Sequence, residues 1–243
     1  MVAPMLSVIV PVYNEQRTVR ELLRRVARLP LPKEILVVDD GSRDGTAQWL
    51  RTIDRPDSLT DGEPLPASTT LRCWFHDRNR GKGAAIRTAL PHVTGRIVII
   101  QDADLEYDPR DYAALIQPIL EDRADVVYGS RLVGGAPHRV LFFWHAVGNS
   151  MLTLLCNLVT NLNLTDMETG YKVFRAEVLK GLRLRADRFE FEPEVTIRVA
   201  RQGWRMYELP ISYAGRTYGE GKKVTWRDGI KAIGAILWYA MTP

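Results

Sequence analysis

Ile97-Val98-Ile99-Ile100-Gln101-Asp102-Ala103-Asp104 is an apolar, β-branched run that stops in two carboxylates spaced i, i+2. In extended backbone, residues two apart project to the same side. Asp102 and Asp104 would therefore leave a strand end together, with small Ala103 between them. Two carboxylates so arranged suit a hard divalent cation such as Mg²⁺, which takes one or two protein carboxylates and fills its shell with phosphate oxygens. Taken alone, the pair is equally well explained as a solvated Asp-rich turn.

Two further acidic groups close apolar runs. Residues 6–10 lead into Pro11-Val12-Tyr13-Asn14-Glu15, and 35–38 into Asp39-Asp40-Gly41-Ser42-Arg43-Asp44-Gly45-Thr46. Carboxylates at three strand ends can divide the work of a nucleotide site. Some accept hydrogen bonds from a base and ribose; others hold a metal on a diphosphate. No G-x-G-x-x-G follows a strand and no Walker A sequence occurs. Asn79-Arg80-Gly81-Lys82-Gly83 has a superficial likeness to such loops but reads as a turn with an exposed lysine.

The elements that must position these groups alternate in type. Val19, Leu22, Leu23 and Val26 recur at helical spacing, and Pro30 and Pro32 stop that helix. A helix over 46–53, a strand over 71–75, a helix over 84–90 and strands over 97–101 and 126–128 follow. Strands separated by helices predict βαβ units and an α/β fold, a mostly parallel central sheet flanked by helices. Such sheets bind ligands at the carboxyl ends of their strands. Residues 54–70, rich in Pro, Asp, Ser and Thr, read as a loop long enough to be functional or mobile.

Composition narrows the class. A chain of 243 residues with 46% hydrophobic and 26% charged content fits one soluble domain, or one domain with an extension, that needs no disulfide. Cys73 and Cys156 lack metal-ligand spacing and read as reduced residues of a reducing compartment. The formal net charge of +4 suits phosphate-bearing ligands or an anionic membrane surface, and no basic run interleaved with aromatics argues for nucleic acid. Pro4 and a short strand-like run stand where a signal peptide would have its n- and h-regions, and no stretch reads as a membrane span.

In order along the chain, PVYNE, VVDDGSRDGT, QDADLEYDP, YGSR and TDMETGYKVFR resemble the motifs of inverting family-2 glycosyltransferases with the GT-A fold. Within that family they are similar to the polyprenyl-phosphate sugar synthases, the group of dolichol-phosphate mannosyltransferase. The likeness runs from Leu6 to about Lys223. It implies a transferase that moves a hexose from a UDP- or GDP-sugar to a polyprenyl phosphate, using Mg²⁺ or Mn²⁺, on the cytoplasmic face of a membrane. Pro11, Tyr13 and Glu15 would line the nucleoside pocket, and Val38 and Asp40, with Asp39 beside them, would hold base and ribose. Asp102 and Ala103 would touch the nucleotide, with Asp102 and Asp104 on the metal. Glu106 stands where relatives often have Gln and would be a further ligand. Arg131 would meet phosphate, with Ser130 beside it on the acceptor side. Arg216 and Lys222 would be the basic pair of a closing segment, to which Gly215, Gly219 and Gly221 lend freedom. Asp104, Arg131 and Arg216 are the residues the resemblance makes catalytic. Asp166 and Glu168 fall where an acceptor-side base could stand, or they cap a helix or loop. The histidines, His76, His92, His138 and His145, read as structural or exposed. The macrodipole accounts for Glu194 at a helix start.

The second half changes texture. Residues 140–165 contain no Asp, Glu, Lys or Arg, and Trp144, Val147, Met151, Leu155 and Leu158 recur at helical spacing. A second stripe runs through Trp226, Ile230, Ile233, Leu237 and Met241. The reading is a catalytic domain over 1–225 and an amphipathic helix over 226–243. Both stripes are either interfacial helices on a bilayer or faces buried in the core or a homodimer. Two other enzyme readings stand beside the first: a hydroxyl-bearing acceptor, and a nucleotidyltransferase, to which PVYNE is ill suited. A catalytically silent membrane-bound binding subunit is the reading outside enzymology.

Overall fold

The computed structural model describes residues 5–53, 65–135, 138–140, 142–221 and 226–242. Seven strands make one sheet: β1 (Leu6–Val12), β2 (Lys33–Asp39), β3 (Thr69–Phe75), β4 (Ile97–Ile100), β5 (Val126–Ser130), β6 (Lys172–Arg175) and β7 (Met206–Pro210). Their order is β3-β2-β1-β4-β6-β5-β7. The strands from β3 to β4 are parallel, as the βαβ pattern requires. β6 runs antiparallel to both β4 and β5, and β7 is parallel to β5. The sequence reading missed β6 and β7, both short and interrupted by charged residues, Lys172 and Arg175 in one and Glu208 in the other.

Among the described residues, eight α-helices accompany the sheet: α1 (Val19–Arg28), α2 (Thr46–Ile53), α3 (Lys82–Ala89), α4 (Tyr112–Leu120), α5 (Phe143–Thr160), α6 (Ala176–Gly181), α7 (Phe191–Arg201) and α8 (Trp226–Met241). Strand alternation sends Val8, Val10 and Ile99 to one face, packed with Leu22 of α1, Leu50 of α2 and Ile116 of α4. Ile9, Val98 and Ile100 point to the other face, against Ile86 of α3, Val195 of α7 and Ile236 of α8. Burial on both faces explains the continuous apolar runs of β1, β2 and β4.

The register aligns the strand ends that matter. Pro11 pairs with Val38 and Val12 with Asp39, while Ile9 pairs with Ile100. The motifs after β1, β2 and β4 therefore open on one edge of the sheet. Much of the two C-terminal stripes turns outward, while Leu155 packs against the core. Trp144 (77%), Met151, Leu154 and Leu158 of α5 are exposed, as are Ile230, Ile233, Leu237, Trp238 and Met241 (78%) of α8. α5 and α8 pack against each other and α8 also packs on α7, and Cys156 of α5 and Ala232 and Ala235 of α8 are buried. Among the described residues no helix is long and apolar enough to cross a membrane.

Candidate active site

The first two motifs are knitted together by backbone donors. Asn14, at φ 50°, donates its N–H to Ser42 Oγ (2.8 Å), and Arg43 N–H donates back to Asn14 Oδ1 (2.8 Å). Glu15 N–H donates to Thr46 Oγ1 (3.0 Å). The two aspartates after β2 then part company. Asp40 turns inward: Oδ1 is bonded to His76 Nδ1 (2.7 Å) and Arg80 N–H (2.8 Å), and Oδ2 to Gly81 N–H (2.7 Å). His76 is fixed in turn by Thr88 Oγ1 (2.9 Å). Asp39 is buried, accepts from Ser42 N–H through Oδ2 (3.1 Å), and has no hydrogen-bond partner for Oδ1. A buried acceptor without a donor carries a desolvation cost until something supplies one. Among the described residues, Asp39 is thus the member of the pair with an unsatisfied carboxylate oxygen.

The end of β4 is held from below. Gln101, fully buried, accepts through Oε1 from Tyr112 Oη–H (2.8 Å) and Tyr171 Oη–H (2.7 Å), and donates Nε2–H to the Asp102 carbonyl (2.9 Å). Ala103 is buried between the two aspartates. Arg216 lies across the carboxylates. Its guanidinium donates to Glu15 Oε1 and Oε2 (both 3.1 Å), Asp104 Oδ2 (3.2 Å) and Glu106 Oε1 (3.3 Å). Glu106, expected as a third metal ligand, has both oxygens on that same segment: Oε1 also accepts from Arg216 N–H (3.0 Å), and Oε2 from Tyr213 Oη–H (2.7 Å). Lys222 lies outside the described residues.

One reading is corrected outright. Lys82 is no exposed turn lysine. Its side chain is 11% exposed and its ammonium bridges Asp102 Oδ1 (2.8 Å) and Glu192 Oε1 (2.9 Å). The glycines around it explain how. A Cβ at Gly81 or Gly83 would collide with the backbone of residues 186–187, so only glycines let the start of α3 dock there, with Ala84 N–H on Asp187 O (2.9 Å). Glu194 does more than face a helix dipole: it accepts from Arg185 and Ala186 N–H (2.9 and 2.7 Å) and from Arg198 (2.9 Å), fixing the loop on which α3 sits.

At the end of β5, Arg131 makes a two-pronged pair with fully buried Asp166, Nε to Oδ2 and Nη2 to Oδ1 (both 2.7 Å). Asn149 of α5 adds a bond to Asp166 Oδ1 (3.0 Å), and the Tyr213 ring lies 5.2 Å from the guanidinium carbon. Ser130 Oγ is used internally, by Thr165 Oγ1 (2.6 Å) and the N–H groups of Leu132 and Val133 (both 3.1 Å). Glu168 Oε1 is shielded from solvent with no hydrogen-bond partner among the described residues. Between the two ends lies Gly170, whose N–H donates to Tyr107 Oη (2.8 Å) and whose Cα leaves no room for a Cβ against Asp102 Oδ2.

Electrostatics differ along this line. Burial, then the Asp102 and Glu106 carboxylates, push Asp104 up to about 7 against the pull of Arg216. Burial opposes the charge on Lys82, but Asp102 and Glu192 outweigh it and hold the ammonium well above the ordinary lysine value. Burial also works against Asp166 ionising, yet Arg131 wins and keeps it low. Burial and then Glu192 push Glu168 up to about 7, with Lys172 and Arg131 opposing. Around β4, four carboxylates (Glu15, Asp102, Asp104, Glu106) thus face two basic groups, Lys82 and Arg216. Among the described residues no three acidic, His or Cys side chains form a metal cage. An oxygen-only set with excess negative charge and two carboxylates side by side nevertheless fits a divalent cation that completes its shell with phosphate.

Carboxylates gathered at adjacent parallel strand ends, with a basic residue across them, stand where open α/β sheets bind their ligands. The glycosyl transferase family 2 model matches residues 7–183, and the chain belongs to that family. The undecaprenyl-phosphate mannosyltransferase of Micrococcus luteus is 30% identical over 242 residues, covering 95% of this chain and 92% of that protein. The UDP-N-acetylglucosamine–dolichyl-phosphate N-acetylglucosaminyltransferase of Methanococcus voltae is 26% identical, covering 99% and 98%. Among solved structures, glucosyl-3-phosphoglycerate synthase from Mycobacterium tuberculosis, in complex with Mn²⁺, UDP and phosphoglyceric acid, superposes with a TM-score of 0.72 at 20% identity, covering 99% of this chain and 80% of that one. The fold is the GT-A fold that the motifs led one to expect.

Proposed function

We propose that this glycosyltransferase is metal-dependent and inverting, and that it moves a hexose from a UDP- or GDP-sugar to a polyprenyl phosphate at a membrane surface. The observation that carries the reading is the excess of carboxylate at the end of β4, where Asp102 faces Lys82 and Asp104 faces Arg216. Asp102 and Asp104 would hold Mg²⁺ or Mn²⁺. Glu106 joins them only when Arg216 and Tyr213 release it. The bound cation would neutralise charge on the departing diphosphate. Asp39 Oδ1 is the acceptor offered to the base or ribose, with Pro11, Tyr13, Glu15, Val38 and Ala103 lining the same strand ends. Asp40 shapes the floor through His76 and residues 80–81. Arg216, with Lys222, stabilises the leaving diphosphate by its charge.

The names of the two relatives support a polyprenyl-phosphate acceptor. Arg131 is the group to meet that phosphate, with Ser130 shaping the loop beneath it. A phosphate monoester needs no base, since its second pKa is about 6 and its oxygens are nucleophilic at neutral pH. Asp166, committed to Arg131, acts as its counter-ion. The apolar outer face of α5 and α8 supports peripheral docking on the inner, cytoplasmic face of a membrane. α5 also reaches the Arg131–Asp166 pair through Asn149, so lipid docked there would deliver its phosphate to Arg131. A homodimer across the same face is the competing use of it.

Glu168, at about 7, favours one second reading: a hydroxyl acceptor with Glu168 as general base. Screening UDP- and GDP-sugars with a polyprenyl phosphate, and scoring acid-labile glycolipid, tests the first reading. Repeating it with Glu168→Gln separates the two. Turnover within about twofold of wild type supports the phosphate acceptor, and a loss of roughly 10²-fold or more supports the hydroxyl.

A further inference from the structure

Lys82 stands in an alternating row of charges. Asp102 pairs with Lys82, Lys82 with Glu192, and Glu192 with Lys172, which also donates to the Met167 and Thr169 carbonyls (2.9 and 2.6 Å). Lys172 is fully buried and Glu192 nearly so. Burying Lys172, Glu192 and most of Lys82 is costly, and apolar replacements of such networks are often neutral or stabilising, so stability does not explain the row. Its open end does. The row ends on the Asp102 carboxylate, at the cleft. Lys82 holds Oδ1, and Gly170 lies flush against Oδ2, so the carboxylate is fixed from both sides.

We propose that Lys82, steadied by Glu192, is a resident counter-cation and positioning residue for Asp102. It fixes the carboxylate and weakens the bare site's hold on a divalent cation, so the ion binds well only when a diphosphate brings further negative charge. The proposal rests on the metal-dependent reading above. The same logic applies on the other aspartate, where Arg216 neutralises Asp104. The two differ in origin: Lys82 is anchored inside the fold by Glu192, whereas Arg216 comes from the segment after β7.

Mn²⁺ titration followed by electron paramagnetic resonance tests this on the whole chain, without substrate turnover. Wild type should bind Mn²⁺ weakly alone and about tenfold or more tightly with UDP or GDP present. Lys82→Met and the near-isosteric Lys82→Gln should bind bare Mn²⁺ about tenfold more tightly than wild type, because a positive charge beside the site is gone. Lys82→Arg, which keeps the charge, should not. A residue that merely props α3 against α7 would lower the melting temperature and give no gain in affinity. If folded Lys82→Met or Lys82→Gln binds bare Mn²⁺ no better than wild type, the counter-cation role is wrong. If wild type takes up no Mn²⁺ with either nucleotide, the metal-dependent reading fails first and takes this role with it.

Discussion

The two ends of the cleft are built on opposite electrostatic plans. At β1, β2 and β4, four carboxylates outnumber two basic groups, and Asp39 keeps an acceptor without a donor. At β5, one arginine is matched to one aspartate, with Asn149 completing the set. The first end carries an excess of carboxylate, whereas the Arg131–Asp166 pair of the second is matched within itself. Residues of the first should therefore govern turnover and nucleotide binding, and those of the second should also govern stability.

Asp104→Ala is expected to have the largest effect: a drop in turnover of roughly 10³-fold with an unchanged melting temperature, since it removes a carboxylate crowded by its neighbours. A parallel fall in the thermal midpoint would erase the contrast between the ends. Arg131→Ala and Arg216→Ala sharpen it. Removing Arg131 strands buried Asp166 and should cost about 3–5 kcal/mol in denaturant titrations. Arg216→Ala should lower kcat more than it weakens nucleotide binding.

Glu168 adds a pH dependence. Its folded-state value, about 7, lies above the usual carboxylate range, so the folded chain holds that proton while the unfolded chain has released it. Stability should thus fall as pH rises from about 4.5 to about 7, and Glu168→Gln should flatten that slope in melts across the range. An unchanged slope would mean that Glu168 is paired or solvated. The smallest effect on chemistry belongs to the outer face. Trp144→Glu with Trp238→Glu should abolish co-sedimentation with vesicles of anionic phospholipid while leaving nucleotide affinity within about twofold. If vesicle binding persists and the chain instead loses a dimer on sedimentation analysis, α5 and α8 form a homodimer surface.

What could be read from the sequence follows from range. β1, β2 and β4 were legible because burial on both faces makes them continuous apolar runs; the two aspartates were legible as carboxylates at a strand end, but β4 stops at Ile100 and residues 103–104 turn, so the extended-backbone geometry does not hold. Asp39 and Asp40 are adjacent in the chain, and nothing local says which turns inward; His76 and the N–H groups of residues 80–81 decide that from 36 to 41 residues away. Lys82 was misread for the same reason. Its partners come from β4 and α7, and the only local signal was a lysine set between two glycines. β6 and β7 escaped notice because each owes its place to pairing with β5 more than to its own pattern.

The central claim is that Asp102 and Asp104 hold a cation that makes the diphosphate a leaving group. Transfer of labelled hexose from the preferred nucleotide-sugar to a polyprenyl phosphate, followed with metal, in excess EDTA, and after Mn²⁺ is restored, tests it directly. Loss of glycolipid in EDTA and its return with Mn²⁺ is the expected result. Undiminished transfer in EDTA would contradict the account.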